Sequence, residues 1–123
     1  MLYCYIQSIW RQVQRLGLVR VVRTMPEVQC IVMMAMVLPL LPEHEITNGL
    51  LAIEREAGSF GIMQMVQPLL TYIRTYWIDI VTPARMSVHD QPRRTNNNVE
   101  SFNCVLSKRL GRHPNVWSFV CKY

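Results

Sequence analysis

The spacing of apolar residues along this chain is the feature that most restricts its fold. In the first segment, apolar side chains recur at every third or fourth position: Ile6, Ile9, Trp10, Val13 and Leu16. The same spacing returns over residues 69–77 and 99–110. This is the period of one face of an α-helix, and we find no sustained alternation of apolar and polar residues, which would indicate strands. The pattern therefore predicts an all-α fold.

Six helices are predicted from this periodicity and from residues that suit helix ends. Proline suits the first turn of a helix, where its missing N–H is not needed, which favours a start at Pro26. Glycine tolerates the left-handed conformation of many helix ends, which favours stops at Gly17 and Gly111. The predicted helices span about residues 2–16, 26–38, 43–56, 64–79, 98–110 and 114–122, with a loop over residues 83–97. Residues 18–22 could pass for a short strand, but nothing nearby offers a partner strand.

Length and composition indicate one packed domain over residues 1–123. Half of the residues are apolar and 17% are charged, which is not the composition of a disordered tail. The four cysteines, Cys4, Cys30, Cys104 and Cys121, are widely separated and form no Cys-x-x-Cys pair. This spacing argues against a disulfide framework and against a zinc finger. We expect buried free thiols in an intracellular protein.

Neither a signal peptide nor a membrane partner is expected. The N-terminus lacks a basic region followed by an apolar stretch and a small-residue cleavage site. The most apolar segment, residues 30–41, is interrupted by Pro39 and is shorter than the ~20 residues that a membrane span needs.

Basic residues are concentrated at both ends of the chain, which has a net charge of +5. Arg11, Arg15 and Arg20 precede the first acidic residue, and the acidic residues lie mainly between residues 27 and 79. From Arg85 onward, seven basic residues stand against two acidic ones. This balance favours an anionic partner, of which nucleic acid is the commonest.

The most unusual string is Arg-Arg-Thr-Asn-Asn-Asn-Val-Glu-Ser-Phe-Asn, residues 93–103. One interpretation is structural, because Asn97 followed by Glu100 three residues later can form the capping box of a helix. The other is functional. Glu100, Asn103 and Ser107 share one polar face at helical spacing, where they could gather a metal ion, a phosphate or a nucleic-acid backbone. Spacing alone leaves both interpretations open, and the two roles can coexist.

These residues resemble the C-terminal region of the Mutator-like transposases of animal genomes. The resemblance covers residues 94–102 and the Leu-Gly-Arg-His-Pro-Asn-Val-Trp-Ser-Phe string at 110–119. Upstream, residues 7–18, 38–46 and 68–78 look like further segments of the family, in the same order and at similar spacing. The resemblance implies the helical insertion and C-terminal helices of an RNase H-like transposase, without its β-sheet.

Members of this family cut and join DNA with two aspartates and one glutamate around two Mg²⁺ ions, for which carboxylates are suitable ligands. The resemblance makes Glu100 the third catalytic carboxylate. The two aspartates would lie upstream of the first helix, and Cys4 and Asn103 stand where the family tends to have histidines. We therefore expect a truncated or decayed copy that is not an enzyme alone, with no metal site and no cofactor on this chain alone, although the intact family uses Mg²⁺.

The expected function is residual DNA binding in the nucleus. The residues expected to bind nucleic acid are Arg93, Arg94, Asn96, Asn97, Lys108, Arg109 and Arg112. The alternative is a helical protein-interaction or scaffold module that presents apolar faces to a partner. That partner would be a second copy of the chain or the N-terminal catalytic half that the family possesses.

Overall fold

The computed structural model of the chain describes residues 2–88 and Phe119. In chain order the elements are α1 (Leu2–Arg15), α2 (Val19–Thr24), α3 (Pro26–Val37), α4 (Ile46–Ser59), α5 (Met63–Tyr72), a π-helix (Ile73–Val81) and α6 (Pro83–Met86), with 3-10 turns at Leu38–Leu40 and Glu43–Glu45. No residue of the described ranges lies in a strand, so the all-α prediction is confirmed there. None of the helices in these ranges has the length and apolar character that crossing a bilayer demands.

Helix α3 is the centre of the fold. Nine of its 12 residues are buried, and they lie on all sides of the helix: Val28, Cys30, Ile31, Val32, Met33, Met34, Ala35, Met36 and Val37. A helix that is apolar all round is stable in water only when other elements cover every side. Helices α1, α2, α4 and α5 all contact α3 and supply that cover.

Helix α1 packs on this core through one stripe of side chains. Tyr5, Ile9 and Val13 are fully buried, whereas Arg11 and Arg15 are exposed on the opposite side. The apolar spacing therefore identified the buried face of α1 correctly.

A Schellman motif ends α1 at the expected glycine. Gly17 has a φ of +72°, which a residue with a side chain rarely adopts. The N–H of Leu18 donates to the carbonyl of Val13 at 2.9 Å, and the N–H of Gly17 donates to that of Gln14 at 3.1 Å. These two bonds define the motif and turn the chain directly into α2.

Residues 18–22 do not form a strand, and the predicted set of helices lacks α2, which spans Val19–Thr24. Its β-branched residues favour strands only where a neighbouring strand can pair with them. Here Leu18 and Val22 are instead buried among the core residues. Helix α2 ends at Thr24, and the next residue, Met25, has an extended backbone because the following Pro26 disfavours the helical conformation.

Near the C-terminal end of α3, the Ala35 carbonyl cannot accept its usual helical hydrogen bond, because Pro39 has no N–H. In a regular helix the Ala35 carbonyl would accept from the N–H of residue 39, and proline has none. The N–H of Leu38 donates to this carbonyl in a 3-10 arrangement. The buried Tyr5 hydroxyl donates to it as well, at 2.6 Å. Helix α1 is thereby joined to the end of α3 by a hydrogen bond as well as by packing.

The single helix predicted over residues 64–79 is two elements. Pro68 lies inside α5 and not near its start, and after Tyr72 the backbone widens into the π-helix. The N–H of Thr82 donates to the Trp77 carbonyl at 2.9 Å, across five residues, and Thr82 then leaves the helix with a φ of +77°. Apolar periodicity does not distinguish an α-helix from a π-helix within so short a segment.

The loop predicted over residues 83–97 begins with a short helix, α6. Beyond it, the Val88 N–H donates to the Pro39 carbonyl at 2.7 Å, and the Ser87 hydroxyl donates to the Leu41 carbonyl at 2.7 Å. The remainder of that loop and the predicted helices over 98–110 and 114–122 lie outside the described residues, except for Phe119, which is helical and buried.

Glycine at position 49 is explained by close packing. A Cβ added to Gly49 would lie 2.5 Å from Leu41 Cδ1 and 3.0 Å from Leu38 Cδ2, and both leucines are fully buried. Gly58 in the same helix has no neighbour within 4 Å of such an atom.

We expect opposite effects from alanine at these two positions of α4. Gly49→Ala should lower the free energy of unfolding by about 1–2 kcal/mol, because overpacking outweighs the gain in helix propensity. Gly58→Ala should raise it by up to about 1 kcal/mol. Denaturant unfolding of both variants measures the difference, and stabilisation by Gly49→Ala would contradict the packing described for the α3–α4 junction.

The contribution of the hydrogen bond from Tyr5 to Ala35 to stability can be tested by removing the hydroxyl oxygen of Tyr5. Tyr5→Phe keeps the ring and its edge-to-face contact with Trp77, whose centroid is 4.9 Å away, and should cost about 1 kcal/mol of stability. Tyr76→Phe is the matched control because Tyr76 is 44% exposed, and it should change stability by less than about 0.5 kcal/mol. Equal effects of the two variants in thermal or denaturant unfolding would show that this bond contributes nothing.

Candidate nucleic-acid interface

Every residue that the sequence predicts as a site residue lies outside the described part of the chain. This applies to Glu100 and to the residues expected to bind nucleic acid: Arg93, Arg94, Asn96, Asn97, Lys108, Arg109 and Arg112. Their assignment therefore stays a prediction from the sequence. The structure does describe the residues on either side of the stretch that carries them.

Val88 and Phe119, which flank that stretch, are both buried at the junction between α3 and α4. Val88 is bonded to the Pro39 carbonyl. The Phe119 ring lies 3.5 Å from the position that a Cβ on Gly49 would occupy, beside Leu38 and Leu41. The stretch with the predicted site is thus attached to the helical body at two points on one junction.

All seven basic residues of the described part are arginines, and all are exposed: Arg11, Arg15, Arg20, Arg23, Arg55, Arg74 and Arg85. Arg74 forms an ion pair with Glu54 that joins the π-helix to α4. The other six form no ion pair with any described residue. Their guanidinium groups therefore face solvent.

Four of these arginines lie on the first two helices, and we call them the arginine pairs of α1 and α2. On α1, Arg11 and Arg15 are one turn apart, opposite the buried stripe that contains Ile9. On α2, Arg20 and Arg23 are three residues apart, and both are exposed. The first acidic residue of the chain is Glu27, so neither helix carries a negative side chain. The sequence showed this clustering of charge, and the structure adds that the side chains are exposed.

Exposed aromatic and aliphatic side chains mark a second surface, on α5 and the π-helix. Tyr76 stacks on Tyr72, with ring centroids 5.7 Å apart and an angle of 6° between the planes. Tyr76 is 44% exposed and Ile80 is 69% exposed. The apolar spacing over residues 69–77 predicts Tyr76 on the inward face, and this prediction is wrong because the wider π-helical turn changes which positions face the core. Trp77 does face the core, as expected.

The cysteines do not form a reactive centre in the described part. Cys30 is buried, as expected, and burial, aided by the charge of Glu56, raises the pKa of its thiol to about 11. A thiol that stays protonated is a poor nucleophile and a poor metal ligand. Cys4 is exposed, which corrects the expectation of burial. Cys104 and Cys121 lie outside the described residues.

Metal binding finds no support in the described ranges. His44 is exposed, and its Nε2 atom lies 3.8 Å from Glu45 Oε1. No three histidine, cysteine, aspartate or glutamate residues among those described are grouped so that they could hold an ion. His89 and His113 lie outside them.

No known protein family matches this chain, and neither a curated protein nor a solved structure matches it. The resemblance to Mutator-like transposases therefore stays a prediction carried by the motifs quoted above.

Proposed function

We propose that the chain is a helical part of a Mutator-like DNA transposase, acting in the nucleus, and that its own activity is to bind DNA without cutting it. The observation that carries the proposal is the ordered run of family-like segments from residue 7 to residue 119. Motifs that keep both order and spacing over most of a chain are more specific than any one of them alone.

Binding without cleavage follows from the ligands that the reaction needs. Two divalent cations at a phosphate require several carboxylates that converge on them. Along the family-like segments, Glu100 is the one acidic residue that corresponds to a catalytic ligand. The basic residues beside it, such as Arg93 and Arg94, bind phosphate without any metal.

The proposal predicts DNA affinity that falls steeply with salt. The chain should bind duplex DNA at about 50 mM salt and should lose most of this affinity by about 200 mM, because each neutralised phosphate releases counterions. Arg93→Gln/Arg94→Gln should reduce the slope of log K against log salt by about 2. Arg55→Gln/Arg85→Gln, which removes equal charge from exposed positions on α4 and α6, is the control and should leave the slope unchanged.

Two results would contradict the proposal. One is an absence of DNA binding at low salt in a chain that melts cooperatively by circular dichroism. The other is Mg²⁺- or Mn²⁺-dependent nicking or strand transfer that Glu100→Gln abolishes, which would make the chain an enzyme in its own right.

A second candidate function is self-association as a protein-interaction module. The exposed surface of Tyr76 and Ile80 on the π-helix favours it, since apolar side chains that share one exposed surface often mark protein contacts.

Sedimentation over a range of concentrations tests this second function. If it holds, wild-type chain forms oligomers as concentration rises, and Ile80→Gln weakens them at least several-fold. Leu51→Gln is the matched control, because Leu51 is an exposed aliphatic residue, 45% accessible, on α4. A monomer at all concentrations would exclude self-association.

A further inference from the structure

We infer that the arginine pairs of α1 and α2, Arg11 with Arg15 and Arg20 with Arg23, form a binding surface for the phosphate backbone of duplex DNA. This surface is additional to residues 93–112, to which the sequence assigns DNA binding. The inference rests on the proposed function in naming DNA as the ligand. It differs in placing contacts on the helices that the structure describes.

The first argument is that the four arginine side chains are available to bind a ligand. All four side chains are exposed, and none forms an ion pair with a described residue. The hydrogen bonds of Arg20 and Arg23 to side chains involve their backbone carbonyls, which accept from Thr24 Oγ1 and Gln29 Nε2. Within the described part of the chain, the guanidinium groups therefore keep their donors for a ligand.

The stability of the fold does not explain this arrangement. Arg15 and Arg23 lie in the last turns of their helices, where a cation is favourable. Arg20 lies in the first turn of α2, next to the positive end of the helix dipole, where a cation is unfavourable. Arg11 and Arg15 repel each other one turn apart. The position of Arg20 and the repulsion between Arg11 and Arg15 thus act against helix stability, so helix stability alone does not account for the pairs.

Rigid placement is the third argument. Helix α1 is fixed by its buried stripe and by the bond from Tyr5 to Ala35. The Schellman motif at Gly17 joins it to α2 through only three residues. Arg11 and Arg15 are about 6 Å apart along the axis of α1. Successive phosphates of one DNA strand are offset around the DNA axis as well as by their rise of about 3.4 Å, so two arginines at this spacing are suited to neighbouring phosphates of one strand.

The chemistry of the surface favours DNA over an anionic membrane. A helix that lies on a bilayer inserts an apolar face beside its cations. The apolar face of α1 is already buried in the core, as Tyr5, Ile9 and Val13 show. The exposed large apolar residues of the described part lie on α4, α5 and the π-helix instead. All four cations are arginines, whose planar guanidinium group binds phosphate through paired hydrogen bonds.

The test compares three double variants of the full chain, each of which removes two positive charges. Arg11→Gln/Arg15→Gln and Arg20→Gln/Arg23→Gln should each weaken binding to a duplex of about 20 base pairs by tenfold or more at about 50 mM salt, and lower the salt slope by about 2. Arg55→Gln/Arg85→Gln should bind as the wild type does. Circular dichroism melts check that the variants fold, and the two test variants are independent of each other should one of them unfold.

The outcomes separate this inference from the proposed function. If the wild type binds DNA and both test variants match the Arg55→Gln/Arg85→Gln control, the arginine pairs are not a DNA surface and the proposed function stands. If the folded wild type binds no DNA, both fail. Binding to phosphatidylserine vesicles that the test variants lose, with no change in DNA affinity, would overturn the inference in favour of a membrane surface.

Discussion

The burial of α3 on all sides is the constraint on which the rest of this structure depends. Its side chains are apolar around the whole circumference, so the helix is stable only inside a shell of other helices. Each neighbour therefore needs just one apolar stripe, and its other face is left polar. Helix α1 shows this most clearly, with Ile9 in the core and Arg11 in solvent. The faces that carry the arginine pairs are thus exposed because the opposite faces of their helices cover α3.

Burial alone does not stabilise α3, because the carbonyl groups at its C-terminal end also need hydrogen-bond donors. Pro39 removes a donor that the Ala35 carbonyl would otherwise use, and the carbonyls of residues 39 and 41 lie beyond the end of the α-helix. Donors come from distant parts of the sequence: the Tyr5 hydroxyl, the Ser87 hydroxyl and the Val88 N–H. The α3–α4 junction is therefore where the N-terminal helix and the chain after α6 meet.

The helical class and the buried faces of α1 and α3 could be predicted because they follow from local apolar spacing. What could not be predicted depends on contacts between distant residues. Residues 19–24 are helical because α3 covers them, against their β-branched composition. The backbone widens into the π-helix and exposes Tyr76, and the spacing of apolar residues does not reveal this change. Gly49 disfavours a helix by its propensity, although the close approach of Leu41 explains its presence in α4. For the candidate site, the sequence showed where charge is concentrated, and exposure needed the structure.

The proposed DNA binding and the inferred arginine surface involve two basic regions, which the fold connects through one junction. Tyr5 contacts the end of α3 at the same junction to which Val88 and Phe119 attach the stretch with the predicted site. Arg15 lies ten residues further along α1, which is about 15 Å from Tyr5 along the helix axis. One turn of duplex DNA extends about 34 Å. Measured along α1, Arg15 is thus less than one turn of duplex away from the contact that Tyr5 makes at this junction. Since counterion release adds up over all contacts on one ligand, the proposed binding through residues 93–112 and the inferred arginine surface would together give an affinity that depends more steeply on salt than either region alone.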